Sequence, residues 1–184
     1  MRRWGLILGL ILCSVFSARA RYPYRWDIGG TLGLGPMIYN GEDHFTMSAT
    51  LGFEKVIHNT KWRWCIEGGI MNQGIADYFF EDDEPERLVR PNFEYIGALA
   101  NYSLFCGCFM NNTFHIFLKA GLAPAHQRDM YIYHYEDKFT MLGIVGVGFD
   151  CEGSKWMISG YVNPQGIFIF NISYGWWFGK RMEH

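Results

Sequence analysis

Beyond residue 20, apolar and polar side chains alternate with a period of two through most of the chain. From Lys61 to Ile70, tryptophan and isoleucine fill most alternate positions, and arginine, cysteine and glutamate lie between them. Successive side chains of a β-strand point to opposite faces of a sheet, so the alternation predicts strands with one apolar and one polar face. No long stretch repeats apolar residues at helical spacing, and helices are therefore not predicted.

Turn residues divide the chain into eight such segments. The predicted strands span residues 24–38, 44–57, 61–77, 92–106, 113–123, 138–150, 155–163 and 166–178. Short strands linked by turns are typical of a barrel or a sandwich. We predict an all-β fold, an eight-stranded antiparallel up-and-down barrel formed by residues 21–184.

The residue types on the two faces indicate the surroundings of this barrel. Tryptophan and tyrosine lie near strand ends on the apolar face, as in the aromatic girdles of membrane barrels; they are Trp26, Trp62, Trp64, Tyr78, Trp156, Tyr174 and Trp176. The opposite face is rich in glycine, serine and threonine, whereas a solvated surface would carry more lysine and glutamate. These features favour a transmembrane barrel in contact with outer-membrane lipid. A soluble lipocalin-like barrel and a β-sandwich are the alternatives.

Connection lengths predict the orientation. Two odd-numbered connections are long, Phe79–Pro91 and Pro124–Asp137, and the even-numbered ones are short, at His58–Thr60, Gly107–Asn112 and Cys151–Ser154. Bacterial outer-membrane barrels have short periplasmic turns and longer extracellular loops. We therefore expect an outer-membrane location with both termini in the periplasm.

The first twenty residues have the features of an export signal. Arg2 and Arg3 precede an apolar run from Trp4 to Val15, and Ala18-Arg19-Ala20 fits a cleavage site. Cleavage after residue 20 leaves 13 basic and 18 acidic residues, a net charge near −5. That charge argues against nucleic acid as a partner, because nucleic-acid binding needs a basic face.

The export signal, the number of strands and the alternation of short and long connections occur together with an aromatic segment, Tyr174-Gly175-Trp176-Trp177-Phe178. In these features the chain resembles the small outer-membrane barrel superfamily typified by OmpA and OmpX. Lys61-Trp62, the segment 113–123 and Gly146-Val147-Gly148 also look like TraO, a barrel of conjugative transposons. The first resemblance implies a porin-like barrel architecture. The second implies a role in conjugation at the cell envelope.

Some outer-membrane barrels modify lipids, and such chemistry needs a histidine paired with a serine and oriented by a carboxylate. His44 and Ser48 share the polar face of the second strand, without the spacing that would mark a catalytic pair. We expect no enzyme activity, no catalytic residue and no cofactor. A lipid-modifying enzyme remains an alternative.

Charged residues on the polar faces should meet in the lumen, where each must be paired because an unpaired buried charge costs several kcal/mol. They are Arg25, Asp27, Glu54, Arg63, Glu67, His115 and Lys119. Side chains just fill an eight-stranded barrel, so the network is expected to be a structural plug.

The outer loops are the candidate binding surface. Tyr131, Tyr133 and Tyr135 alternate in the third outer loop and offer rigid amphipathic contact area, unless the fifth and sixth strands simply extend beyond the membrane. Acidic residues at 81–84, and carboxylates with histidines at 126–137, lack the spacing of a known metal site, so no metal is expected.

Cys65, Cys106, Cys108 and Cys151 lie toward the predicted periplasmic end, where disulfides form, and their pairing stays open. The sequence thus predicts a non-enzymatic outer-membrane barrel that is structural or binds an envelope partner through its outer loops. A TraO-like component of conjugal transfer is the alternative.

Overall fold

A computed structural model describes residues 24–39, 42–57, 60–73, 90–109, 112–130, 135–151 and 153–181. The predicted signal peptide, Tyr131 and Tyr133 lie outside these residues. Arg25 lies in a described strand, but its side chain is outside the description. Within the described ranges, no helix has the length and apolarity needed to cross a membrane.

Eight antiparallel strands form a closed barrel in which each strand pairs with its neighbours in sequence and the last pairs with the first. Their bounds are β1 Tyr24–Tyr39, β2 Glu42–Val56, β3 Trp62–Asn72, β4 Arg90–Phe109, β5 Asn112–Met130, β6 Tyr135–Cys151, β7 Ser154–Val162 and β8 Phe168–Arg181. The predicted fold class and strand number are confirmed.

The predicted ends of three strands differ most from the structure. β3 ends at Asn72, and residues 74–77 of its predicted range lie outside the described residues. The expected loop Pro124–Asp137 is mostly strand, because β5 continues to Met130 and β6 begins at Tyr135. Both strands are therefore longer than the sequence predicted.

The barrel has its apolar residues outside. On β3, Trp64, Ile66 and Ile70 are exposed, whereas Arg63 and Glu67 between them are buried. The other strands follow the same rule, with exposed Leu32, Leu51, Val145 and Ile172, among others, on their outer faces. A closed barrel with an apolar exterior and a polar interior is the arrangement of transmembrane barrels.

Aromatic side chains encircle the end of the barrel at which β1 begins and β8 ends. Phe53 contacts the rings of both Trp26 and Trp64, with ring centroids 6.4 and 5.4 Å away. Further around the barrel, the ring centroids of Trp62 and Tyr102 are 4.8 Å apart, and those of Trp156 and Tyr174 are 4.6 Å apart. We call this the terminal end of the barrel. In membrane barrels, aromatic rings of this kind lie at the level of the lipid headgroups.

Candidate functional site

The lumen near the terminal end holds a cluster of four charged side chains. Arg63 donates from one guanidinium nitrogen to Asp27 Oδ2 at 2.9 Å and to Glu54 Oε2 at 2.6 Å. Lys155 Nζ donates to the other oxygen of Glu54 at 2.8 Å. All four residues are at most 1% exposed. Ions removed from water in this way must be paired, and this cluster joins β1, β2, β3 and β7 across the barrel.

A second ion pair lies farther from the terminal end. Lys119 on β5 donates to Glu67 Oε2, and the Tyr95 hydroxyl donates to Glu67 Oε1 at 3.0 Å. Both carboxylate oxygens of Glu67 are therefore used. Of the charges expected in the lumen, the structure brings five into direct ion pairs: Asp27, Glu54, Arg63, Glu67 and Lys119.

Lys155 and Asp150 are lumen residues that the sequence interpretation left out. The Lys155 ammonium lies 3.5 Å from the centroid of the Trp177 ring, in addition to its bond with Glu54. Asp150 is 2% exposed and is the Cα partner of both His115 and Lys155. The sequence contained a signal for both residues. Asp150 directly follows the outward-facing Phe149, and Lys155 directly precedes the outward-facing Trp156, so the alternation places both side chains in the lumen.

His115 is hydrogen-bonded to Ser103, with 2.9 Å between Nε2 and Oγ, and its strand neighbour is Asp150. These residue types occur together in hydrolases. Ser103 and His115 are each 0% exposed, so a substrate has no route to the hydroxyl in this structure. His44 and Ser48 are both buried on the lumen face of β2, and Asn171 donates to Ser48 Oγ at 2.9 Å.

Apolar side chains fill the lumen beyond the ion pairs. The layer includes Met37, Met71, Phe93, Leu142, Ile144, Ile167 and Ile169, each at most 1% exposed. They form one cluster with Tyr95 and Tyr161, so the apolar layer rests directly on the ion-paired layer. Among the described residues, these charged and apolar layers are buried deeply enough to form a packed interior.

The cysteines lie at or near the terminal end. Cys65 is buried in the lumen, while Cys106 and Cys151 are half-buried. Cys65 and Cys151 are free thiols in this structure. Cys108 lies in β4, and its side chain is outside the described residues.

At the opposite end, β5 and β6 continue past the end of β7 as a long hairpin, formed by residues 125–130 and 135–142, and β5 stays paired with β4 as far as Met130 with Arg90. The last pair between β6 and β7 is Gly143 with Val162, whereas β5 and β6 stay paired as far as Met130 with Tyr135. Eight residues of β6 thus lie past the last β7 contact, about 26 Å of strand. Among the described residues, these eight pair with β5 alone.

Charged residues cross-link the long hairpin. Arg128 Nε donates to Asp137 Oδ1 at 2.8 Å, and Lys138 Nζ donates to Asp129 Oδ2 at 2.8 Å. The hydrogen bond from Arg128 lowers the pKa of the exposed Asp137 carboxyl. Asp129 itself is buried one residue before the end of β5, where Gln127 Nε2 donates to its Oδ1 at 2.6 Å.

Aromatic side chains stand out from the long hairpin. Phe139 is 89% exposed and Tyr135 is 66% exposed, and the Arg128 guanidinium lies 5.3 Å from the centroid of the Tyr135 ring. Of the three tyrosines expected to make contacts, Tyr135 alone falls within the described residues. Phe139 was missed because the sequence interpretation placed it within a membrane strand.

Across the described part of the chain, no group of three histidine, cysteine or carboxylate side chains is placed to hold a metal ion. The pair His126 and Asp137, 3.2 Å apart, is the closest approach of a histidine to a carboxylate among the candidate loop residues described.

Several solved structures resemble this barrel. Neisserial surface protein A is 10% identical, with 83% of this chain and 95% of that chain covered and a TM-score of 0.56. The N-terminal β-barrel domain of Pseudomonas aeruginosa OprF is 12% identical, with 84% and 98% covered and a TM-score of 0.50. Ail, the attachment invasion locus protein of Yersinia pestis, is 14% identical, with 85% and 100% covered and a TM-score of 0.48.

No protein-family model and no curated protein sequence matches this chain significantly. The first two structural likenesses show the fold: the chain has the eight-stranded architecture of the small outer-membrane barrels, as its resemblance to OmpA and OmpX implied.

Proposed function

We propose that this chain is a non-enzymatic barrel of the bacterial outer membrane that binds a protein partner at the cell surface through the long hairpin. Residues 1–20 direct export, and both termini lie in the periplasm. The observation that carries this proposal is the long hairpin, in which eight residues of β6 continue past the end of β7 and expose Tyr135 and Phe139.

The outer-membrane location is supported by the inverted distribution of side chains. Large apolar residues cover the outside of every strand, while ion pairs lie inside. Burying that exterior against lipid removes it from water, which is favourable in proportion to its area.

The orientation is supported by the lengths of the connections. The strand ends joined by residues 73–89 lie opposite the termini, together with the long hairpin. The strand ends joined by residues 57–61, 110–111 and 152–153 lie at the terminal end. In outer-membrane barrels, short turns face the periplasm and longer segments face outward.

A binding role is supported by the composition of the long hairpin. Exposed aromatic residues and arginine are enriched at protein-binding surfaces, and the part of β6 beyond β7 is an open edge that can pair with an extended segment of a partner. Conjugal transfer is not part of the proposal, because the segments that resemble TraO are ordinary strands of β3, β5 and β6. The buried Ser103–His115 pair gives no support to an enzyme.

Labelling of intact cells tests the orientation. In a variant without native cysteines, a membrane-impermeant maleimide should label Glu136→Cys in the long hairpin, whereas Lys61→Cys in the β2–β3 turn should react only after lysis. Both positions are exposed, so the difference reports on the side of the membrane. The reverse pattern would overturn the proposed orientation.

Photo-crosslinking tests the binding role. We would place benzoylphenylalanine at Phe139 and, as a control, at Phe178, which is 71% exposed near the terminal end. A protein adduct in living cells is expected from position 139 alone. Absence of an adduct at 139, or the same adduct from both positions, would contradict binding through the long hairpin.

A further inference from the structure

An apolar groove of about 640 Å³ runs across the outside of β8, β1, β2 and β3 on the terminal-end side of the barrel. Its floor includes Gly30 and Gly68, which have no side chain to fill it, and a Cβ atom at Gly68 would make only an ordinary contact, 3.4 Å from the Tyr95 backbone oxygen. Its walls are the large side chains of Ile28, Leu51, Phe53, Ile66, Trp176 and Phe178. A channel of this shape between bulky walls fits a flexible hydrocarbon chain.

The aromatic residues beside the groove indicate how deep in the membrane it lies. Phe53 forms one wall of the groove and also contacts Trp26 and Trp64, the rings that mark the interface. Gly30 lies four residues along β1 from Trp26, about 13 Å of strand. The groove therefore begins at the headgroup level and continues into the hydrocarbon layer.

Lys55 provides a positive charge next to the interface end of the groove. Lys55 is exposed, lies two residues beyond Phe53 on the same outward face, and is the Cα partner of both Trp26 and Trp64. Lysine at a membrane interface extends its aliphatic stem along apolar surface and keeps its ammonium group at the headgroups.

Carboxylates do not compete for this ammonium group on the outer face. Among the described residues of β8, β1, β2 and β3 around the groove, the nearby acids Asp27, Glu54 and Glu67 all point into the lumen and are 1% exposed. Phosphate is the anion that lipid headgroups offer at this depth, and a basic residue near anionic lipid contributes about fivefold to affinity.

We propose that the groove binds one acyl chain of an anionic phospholipid, whose phosphate is held by Lys55. The inference rests on the membrane location in the proposed function, and on the proposed orientation it places the site in the periplasmic leaflet. It does not depend on the long hairpin or on any partner there.

Native mass spectrometry of the protein released from detergent micelles tests this site. The probes are dioleoylphosphatidylglycerol and dioleoylphosphatidylcholine, added at equal concentrations. We expect the wild-type protein to retain one phosphatidylglycerol in preference to phosphatidylcholine, and Lys55→Gln to bind phosphatidylglycerol about fivefold more weakly. Gly68→Leu should abolish retention, because the new side chain fills the groove.

Two variants serve as matched controls. Lys61→Gln removes an exposed lysine of the adjacent turn, and Gly143→Leu adds the same side chain at an outward-facing glycine of β6, away from the groove. Both should bind as the wild type does. A compact band on unheated gels confirms that each variant is folded before lipid binding is compared.

The remaining outcomes contradict the site. If the wild-type protein retains both lipids equally and Lys55→Gln changes neither, the lysine has no role in binding. If Gly68→Leu still retains lipid as the wild type does, the lipid does not bind in the groove. If the spectrum shows a complex of two protein chains and Gly68→Leu abolishes that complex, the groove is an interface between two copies of this chain. None of these results bears on crosslinking at Phe139, so the two proposals fail separately.

Discussion

Arg63 lies between two carboxylates inside the barrel and is the side chain that holds them together. It donates to Asp27 and Glu54 from one guanidinium nitrogen, and its partners have little contact with water. The alternation along β3 was enough to predict that Arg63 faces inward. The fourth member of the cluster, Lys155, is 101 residues from Glu54 in sequence, and closure of the barrel brings the two together.

Replacing Arg63 with alanine should strongly destabilise the barrel. The change leaves Asp27 and Glu54 buried with Lys155 as their remaining described cation, and loss of one partner of a buried ion pair costs about 3–5 kcal/mol. Trp64→Ala, at the next position, removes a lipid-facing side chain and should be milder. The temperature at which the compact band disappears on gels ranks the variants, and an equal or reversed ranking would contradict the lumen position of Arg63.

Within the strands, alternation predicted which face each residue occupies, but it failed where a strand leaves the membrane. Residues 135–139 of β6 are exposed on both faces, so polar and apolar positions lose the contrast that identifies a strand. Pro124 added to the error, since proline is rare inside sheets. In the structure Pro124 lies on the outward face of β5, opposite Met141.

The contact between β3 and β4 yields a prediction about packing. A Cβ atom at Gly69 would lie 2.9 Å from the ring of Tyr95, so Gly69→Val should displace that ring and weaken its hydrogen bond to Glu67. We expect a loss of about 1–3 kcal/mol, the usual range for overpacking.

Gly68→Val is the matched control for this change. The nearest atom to a Cβ there is a backbone oxygen at 3.4 Å, an ordinary contact, and the side chain would point outward. Its unfolding midpoint in urea, measured in lipid vesicles, should stay near that of the wild type while Gly69→Val lowers the midpoint. Equal midpoints would show that Tyr95 does not pack against Gly69.

For the molecule as a whole, the sequence pattern was sufficient to predict an eight-stranded barrel with its apolar side outward, because closure requires no information beyond regular pairing of neighbours. The pattern was insufficient for the sites. The groove depends on which outward residues of four strands become adjacent, and the lumen cluster depends on contacts across the barrel. The positions of the groove and of the lumen cluster both follow from the register in which neighbouring strands pair, and the sequence of a single strand does not specify that register.

The depth of each outward residue in lipid follows from that register and can be tested on β8. Ile172 and Trp176 face outward on the same strand, 45% and 55% exposed, but Trp176 lies at the aromatic end and Ile172 about 13 Å of strand farther in. An arginine near the bilayer centre costs about 2–4 kcal/mol in a membrane barrel, and one near the interface costs about 0–1 kcal/mol. Ile172→Arg should therefore destabilise the barrel in lipid vesicles more than Trp176→Arg. Urea unfolding in vesicles measures both, and equal costs at the two positions would mean that this face of β8 does not span a bilayer.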